Sequence, residues 1–140
     1  MLVSDIMTKD PVVCTPNYTL QKCAQIMSEY DCGEIPVVNT IDEKVIIGVI
    51  TDRDITYRGV AKDLIPSSSY VEECMSQIKY TINKNEDIEK CIQIMADNQV
   101  RRLPVIDENF CCIGIVSQAQ ISRFCSHSAS GSLLHKISTP

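Results

Sequence analysis

"QKCAQIM" (21–27) returns as "EKCIQIM" (89–95), and the distance between the two decides how the chain is read. "VSDIM" (3–7) and "VEECM" (71–75) stand 68 residues apart, as do "EIPVVN" (34–39) and "RLPVID" (102–107). "GVITDRDI" (48–55) and "GIVSQAQI" (114–121) follow at an offset of 66, so the second copy has lost two residues at the turn before this strand. Four segments in one order with one small indel make a tandem repeat.

Each copy carries the same elements. A short helical entry (Ser4–Met7, Glu72–Met75) leads to a strand, "PVVCT" (11–15) or "KYTIN" (79–83). An amphipathic helix follows, with Leu20, Cys23, Ala24 and Met27 on one face and Ile88, Cys91, Ile92 and Met95 on its counterpart. Thr19 and Asp87 are the expected N-caps. Two strands come next, joined by turns at Asp42-Glu43-Lys44 and Asp107-Glu108-Asn109. A last helix opens at Thr51 or Ser117, with Ile55 and Ile121 expected on an exposed face. The order is β-α-β-β-α twice, an α/β (α+β) fold. Residues 1–60 form repeat one, 61–70 the linker, 71–125 repeat two and 126–140 a Ser-rich tail.

The bulk properties limit the function. The 140 residues are 44% hydrophobic and 22% charged, which suits a globular chain with a sizeable core. A net charge of −5 argues against general nucleic-acid binding, which needs a basic face. No apolar run approaches the roughly 20 residues of a spanning helix, and the acidic start does not read as a secretory signal. A cytoplasmic protein with no membrane partner is expected. The eight cysteines (14, 23, 32, 74, 91, 111, 112, 125) contain no Cys-x-x-Cys and read as buried, reduced residues. Cys125-Ser126-His127 has poor spacing for a metal, so no metal site is assigned. Catalysis is not expected either. The two histidines, His127 and His135, lie in the tail, and Asp52 and Asp54 lack a base–nucleophile arrangement.

The β-α-β-β-α order, the "IPVV"/"LPVI" strand and Gly-x-x-Thr-x-x-Asp at the last helix resemble the cystathionine-β-synthase (CBS) domain. Two copies resemble a CBS pair, or Bateman module, over residues 1–125, of the stand-alone bacterial type. The resemblance implies two repeats packed with pseudo-two-fold symmetry, commonly in a homodimer. It also implies an adenosine ligand (AMP, ADP or ATP, sometimes NAD or S-adenosylmethionine) in the cleft between paired repeats, and no required cofactor.

Thr51 and Asp54 are then the ribose and phosphate contacts. A carboxylate offers two oxygens to a vicinal diol, and a helix start favours an anion. Arg53, Arg101 and Arg102 are the phosphate clamps. Tyr80, Thr81, Ile82 and Val100 are candidate adenine walls of that cleft. Thr51-x-x-Asp54 also has the spacing of a capping box, and Asp52 is read as capping or surface. In the second copy Gln120 replaces the acid and Ala119 the Arg53 equivalent, and Glu34 takes the place of Arg102. The second cleft, lined by Thr15, Ile35, Ser117 and Gln120, is therefore expected to bind weakly. The expected function is a non-catalytic energy or ligand sensor acting on an unidentified regulated protein. A ligand-free dimerisation scaffold is the alternative, followed by a thiol or metal sensor.

Overall fold

The computed structural model describes residues 1–124; the expectations for Cys125, the two histidines and the tail lie outside the described residues. In chain order the elements are α1 (Val3–Ile6), β1 (Thr8–Lys9), α2 (Leu20–Tyr30), β2 (Glu34–Val38), β3 (Ile46–Thr51), α3 (Asp52–Asp54), β4 (Ser76–Gln77), β5 (Ile82–Asn83), α4 (Ile88–Asn98), β6 (Arg102–Ile106), β7 (Cys112–Ser117) and α5 (Gln118–Phe124). Single π and 3₁₀ turns continue α3 over Ile55–Gly59 and Val60–Lys62, and a 3₁₀ turn spans Val71–Glu73.

The chain forms two compact units whose limits are not those of the repeats. One unit is Val12–Lys79, and the other joins Met1–Pro11 to the described residues from Tyr80 onward. Each repeat thus gives its entry segment to the sheet of the other. In the first unit the strand order is β2-β3-β4, all antiparallel, and β4 comes from the second repeat. In the second unit the order is β1-β7-β6-β5, with β1 antiparallel to β7 and β5 parallel to β6. The expected first strands are shorter than their sequences suggested. "PVVCT" makes one parallel bridge, Cys14 to Val37, and "KYTIN" is a strand only at Ile82–Asn83.

Both long helices start and stop by the same means. Thr19 accepts from the Lys22 N–H and Asp87 from the Glu89 N–H, as the sequence predicted. The chain leaves each helix through a left-handed residue, Asp31 (φ 50°) and Gln99 (φ 55°). Leu20, Cys23 and Met27 are buried on α2, and Ile88, Cys91, Met95 and Ala96 on α4. Ala24 is instead exposed, because it lies on the solvent edge of the apolar stripe.

The exchanged segments repeat each other bond for bond. Val71 N–H donates to Tyr18 O and Val3 N–H to Glu86 O; Leu20 N–H donates to Ser69 O and Ile88 N–H to Met1 O. The 61–70 linker is therefore a packed part of its unit, with its carbonyls at Pro66 and Ser69 satisfying the first turn of α2.

The two cores are separate. One gathers Leu20, Ile35, Val37, Ile50, Ile55 and Val71; the other gathers Val3, Ile88, Met95, Leu103, Val105 and Ile121. Ile55 and Ile121 thus face inward, contrary to their expected exposure, because the helix after β3 or β7 folds back over its own sheet. Among the thiols, Cys14, Cys23, Cys74, Cys91 and Cys112 are buried, and Cys32 and Cys111 half-buried. Cys14 lies well above its ordinary thiol value, first through its hydrogen bond with Cys23 and then through burial, whereas that same bond lowers Cys23.

Candidate functional site

In the unit 12–79, β3 delivers Thr51 to the start of α3. Thr51 Oγ1 accepts from the Asp54 N–H at 3.0 Å, and Asp54 Oδ2 accepts from the Thr51 N–H at 3.1 Å. The capping box is closed in both directions. Asp54 has further partners: the Ser76 hydroxyl reaches its Oδ1 at 3.1 Å and Oδ2 at 3.2 Å, and Arg58 Nε stands 4.0 Å from Oδ1. The carboxylate is consequently a junction, only 12% exposed, that holds a helix start and a strand together. Arg53 lies along its own helix, its guanidinium carbon 4.9 Å from the centre of the Tyr57 ring. Asp52 is exposed, donates its N–H to Gly33 O and accepts from the Arg53 N–H, so its role is local capping.

Strand register sets the charge of this edge. Glu34 pairs with Thr51, so Glu34, Asp52 and Asp54 gather at one end of the sheet. Gly33 leaves room for that acidic group, since an added Cβ there would lie 3.0 Å from Asp52 Oδ2.

The other unit builds the same frame with the opposite charge. Ser117 Oγ accepts from the Gln120 N–H at 3.3 Å, and Gln120 Oε1 accepts from the Ser117 N–H at 2.7 Å. Gln120 Nε2 donates to Thr8 Oγ1 on β1. Arg102 pairs with Ser117, and Gln118 N–H donates to Arg101 O. A cavity of about 570 Å³ opens here, lined by Arg101, Arg102, Ser117, Gln118, Ala119 and Ser122. Two guanidiniums and two hydroxyls facing one space form a surface for an anion, and phosphate or carboxylate suits it. The two arginines are thus brought together with Ser117 inside one unit, while Thr51, Arg53 and Asp54 belong to the other.

The apolar candidates divide by burial. Ile82 (3% exposed) and Ile35 (0%) lie in the cores, and Val100 packs against the core of its unit. Tyr80 is exposed, Thr81 half-buried, and Thr15 is buried with its hydroxyl donating to Asn17 Oδ1. Three residues of this frame were missed by sequence reasoning: Ser76, Thr8 and Arg58. Thr8 and Ser76 stand at the 68-residue offset and both carry hydroxyls, a correspondence that was there to be found. Arg58, whose Nη1 donates to Met75 O at 3.1 Å, corresponds in sequence to Phe124 at the 66-residue offset and left no such signal.

Among the described residues, no group of three or more His, Cys, Asp or Glu side chains is placed to hold a metal ion. Nor is any described helix long and apolar enough to cross a membrane.

Known proteins are similar to this chain in sequence and shape. The CBS domain-containing protein YhcV of Bacillus subtilis is 36% identical over 137 residues, covering 97% of this chain and 94% of that protein. Hypoxic response protein 1 of Mycobacterium tuberculosis is 33% identical over 136 residues, covering 97% and 93%. A crystal structure of Hypoxic Response Protein I, with two coordinated zinc ions, superposes with a TM-score of 0.80 at 33% identity over 90% of this chain and all of that one. The CBS domain pair of protein MJ0100, in complex with 5′-methylthioadenosine and S-adenosyl-L-methionine, gives a TM-score of 0.74 at 27% identity over 88% of this chain and 94% of that one. The CBS domain itself is matched twice, over residues 3–60 and 71–127, so the chain belongs to the CBS domain family, whose paired members are regulatory modules.

Proposed function

We infer that this chain is a non-catalytic sensor of an adenosine-containing ligand, of the AMP, ADP or ATP class, and that it passes the ligand's presence to a partner protein. The observation that carries the reading is the cavity lined by Arg101, Arg102, Ser117 and Ser122. Cationic forks and hydroxyls converge there in a space the size of a small-molecule site. In this reading Arg101 and Arg102 take phosphate in their own unit, and Asp54 with Thr51 is the candidate ribose acceptor of the other. The adenosine class is supported by the CBS pair of MJ0100, 27% identical, which was crystallised with two adenosine compounds.

The test is a calorimetric and thermal-shift panel of AMP, ADP, ATP, adenosine and S-adenosylmethionine. A ligand that binds only the native state raises the midpoint by mass action. Arg101→Ala with Arg102→Ala is expected to weaken ATP by about 10- to 100-fold and to flatten the salt dependence of binding, while adenosine is little changed. No midpoint shift with any of the five compounds at millimolar concentration rejects the reading and favours the scaffold alternative.

A further inference from the structure

Asp54 and Gln120 each do two things: they close a capping box and they bond a hydroxyl on the exchanged strand. For Asp54 that hydroxyl is Ser76 on β4. The strand is two residues long and its ladder consists of Gly48 opposite Gln77 and Val49 opposite Ser76. So short a ladder gains much from a side-chain tether. Its close seat on β3 depends on Gly48, where an added Cβ would lie 2.7 Å from Ser76 O. Arg58 adds a second hold through the Met75 carbonyl.

The position of the Ser76 hydroxyl is what bears on ligand binding. Its oxygen is nearly equidistant from the two oxygens of Asp54, 3.1 and 3.2 Å, so it lies across the open edge of the carboxylate. A vicinal diol uses that same edge, one hydroxyl to each oxygen. Oδ2 is already engaged by the Thr51 N–H, and Oδ1 faces Arg58.

We propose that Ser76 is a latch that competes with a ligand's ribose for Asp54, so that occupation of the carboxylate frees β4 from its tether. This rests on the reading of Asp54 as the ribose acceptor. Two residues beyond β4, at Lys79, the chain leaves this unit, so the element released is the one that carries the chain onward. The second copy has the tether without the competition. Gln120 spends its one acceptor oxygen on the Ser117 N–H and holds Thr8 with a donor, so it has no pair of acceptors for a diol. One strand is releasable and the other fixed.

The experiment uses the full chain, AMP as probe, amide hydrogen exchange of β4 and calorimetry. Ser76→Ala is expected to speed exchange at residues 76–77 about tenfold, the loss of one hydrogen bond to a charged group, and to tighten AMP severalfold. AMP added to the wild type is expected to speed the same amides. Thr8→Val, the control, is expected to speed exchange at residues 8–9 without changing AMP affinity. Weaker AMP binding by Ser76→Ala overturns the proposal, because Ser76 is then a ligand contact. AMP binding with β4 exchange unchanged overturns the latch alone. Absence of AMP binding by both wild type and Ser76→Ala overturns the nucleotide reading and the competition with it, so the two failures are distinguishable.

Discussion

Glu34 stands directly opposite Thr51 on the paired strands β2 and β3. Its carboxylate shares with those of Asp52 and Asp54 the edge to which a nucleotide on Asp54 would bring its phosphate. Glu34→Gln is therefore expected to tighten AMP by roughly two- to fivefold and to leave adenosine, which has no phosphate, unchanged; the effect should shrink as added salt shortens the Debye length below about 8 Å. Calorimetry on both ligands at two ionic strengths checks this, and an equal gain for adenosine would remove charge as the cause.

Asp54→Ala strips one carboxylate from three tasks at once. It should weaken AMP by about ten- to a hundredfold through loss of charge-assisted bonds. It should also destabilise the fold by about 1–2 kcal/mol, because the cap of α3 and the Ser76 tether go with it. Asp54→Asn retains an acceptor for the Thr51 N–H and should recover most of the stability and little of the affinity. Chemical denaturation beside calorimetry separates the two effects.

A homodimer is expected in solution, on a different surface from the one the isoleucines suggested. With Ile55 and Ile121 buried, two exposed apolar residues, Tyr57 (57% exposed) and Val60 (60%), stand close together on the continuation of α3. An exposed aromatic and aliphatic pair of this kind suits an interface. Light scattering should give twice the 15.6 kDa of the chain, and Tyr57→Glu with Val60→Glu should halve the mass. A monomeric wild type at tens of micromolar would refute the expectation.

Cys74 carries a pH signature. Burial chiefly, then the charges of Glu73 and Asp54, raise its thiol above the ordinary 9.0, with Arg58 opposing. The native state therefore holds this proton more tightly than the unfolded chain. The stabilisation is complete below pH 9.0 and is lost as pH climbs from there through the raised native value. The melting midpoint of the wild type should fall more steeply above about pH 9 than that of Cys74→Ala, which should itself start lower by roughly 1–2 kcal/mol of stability. Parallel midpoint curves for the two proteins would contradict the assignment.

The repeat, the helices and their caps were legible because periodicity and capping are local. Thr19 and Asp87 each announce a helix that tertiary packing only has to accept. The exchanged strands were not legible. Thr8–Lys9 and Ser76–Gln77 are too short for alternation to register, and their partners lie in the other copy. For the same reason Thr51-x-x-Asp54 could be read as a cap or as a ligand site, while its bond to Ser76 could not be read at all. Ile55 and Ile121 misled because an isoleucine one turn into a helix carries no mark of which side the sheet will cover.

The exchange of entry segments also fixes an order of events during synthesis. Thr8 emerges from the ribosome among the first residues, yet Gln120, to which it bonds, lies 112 positions later. The unit 12–79 can close while the rest of the chain is still being made; Met1–Ser4 find their partners once residues 84–88 are out, and Thr8–Lys9 must wait, unpaired, for β7. Made among the first, these two are among the last to find their place, and a nascent chain halted before residue 112 holds one finished unit and an unpaired β1.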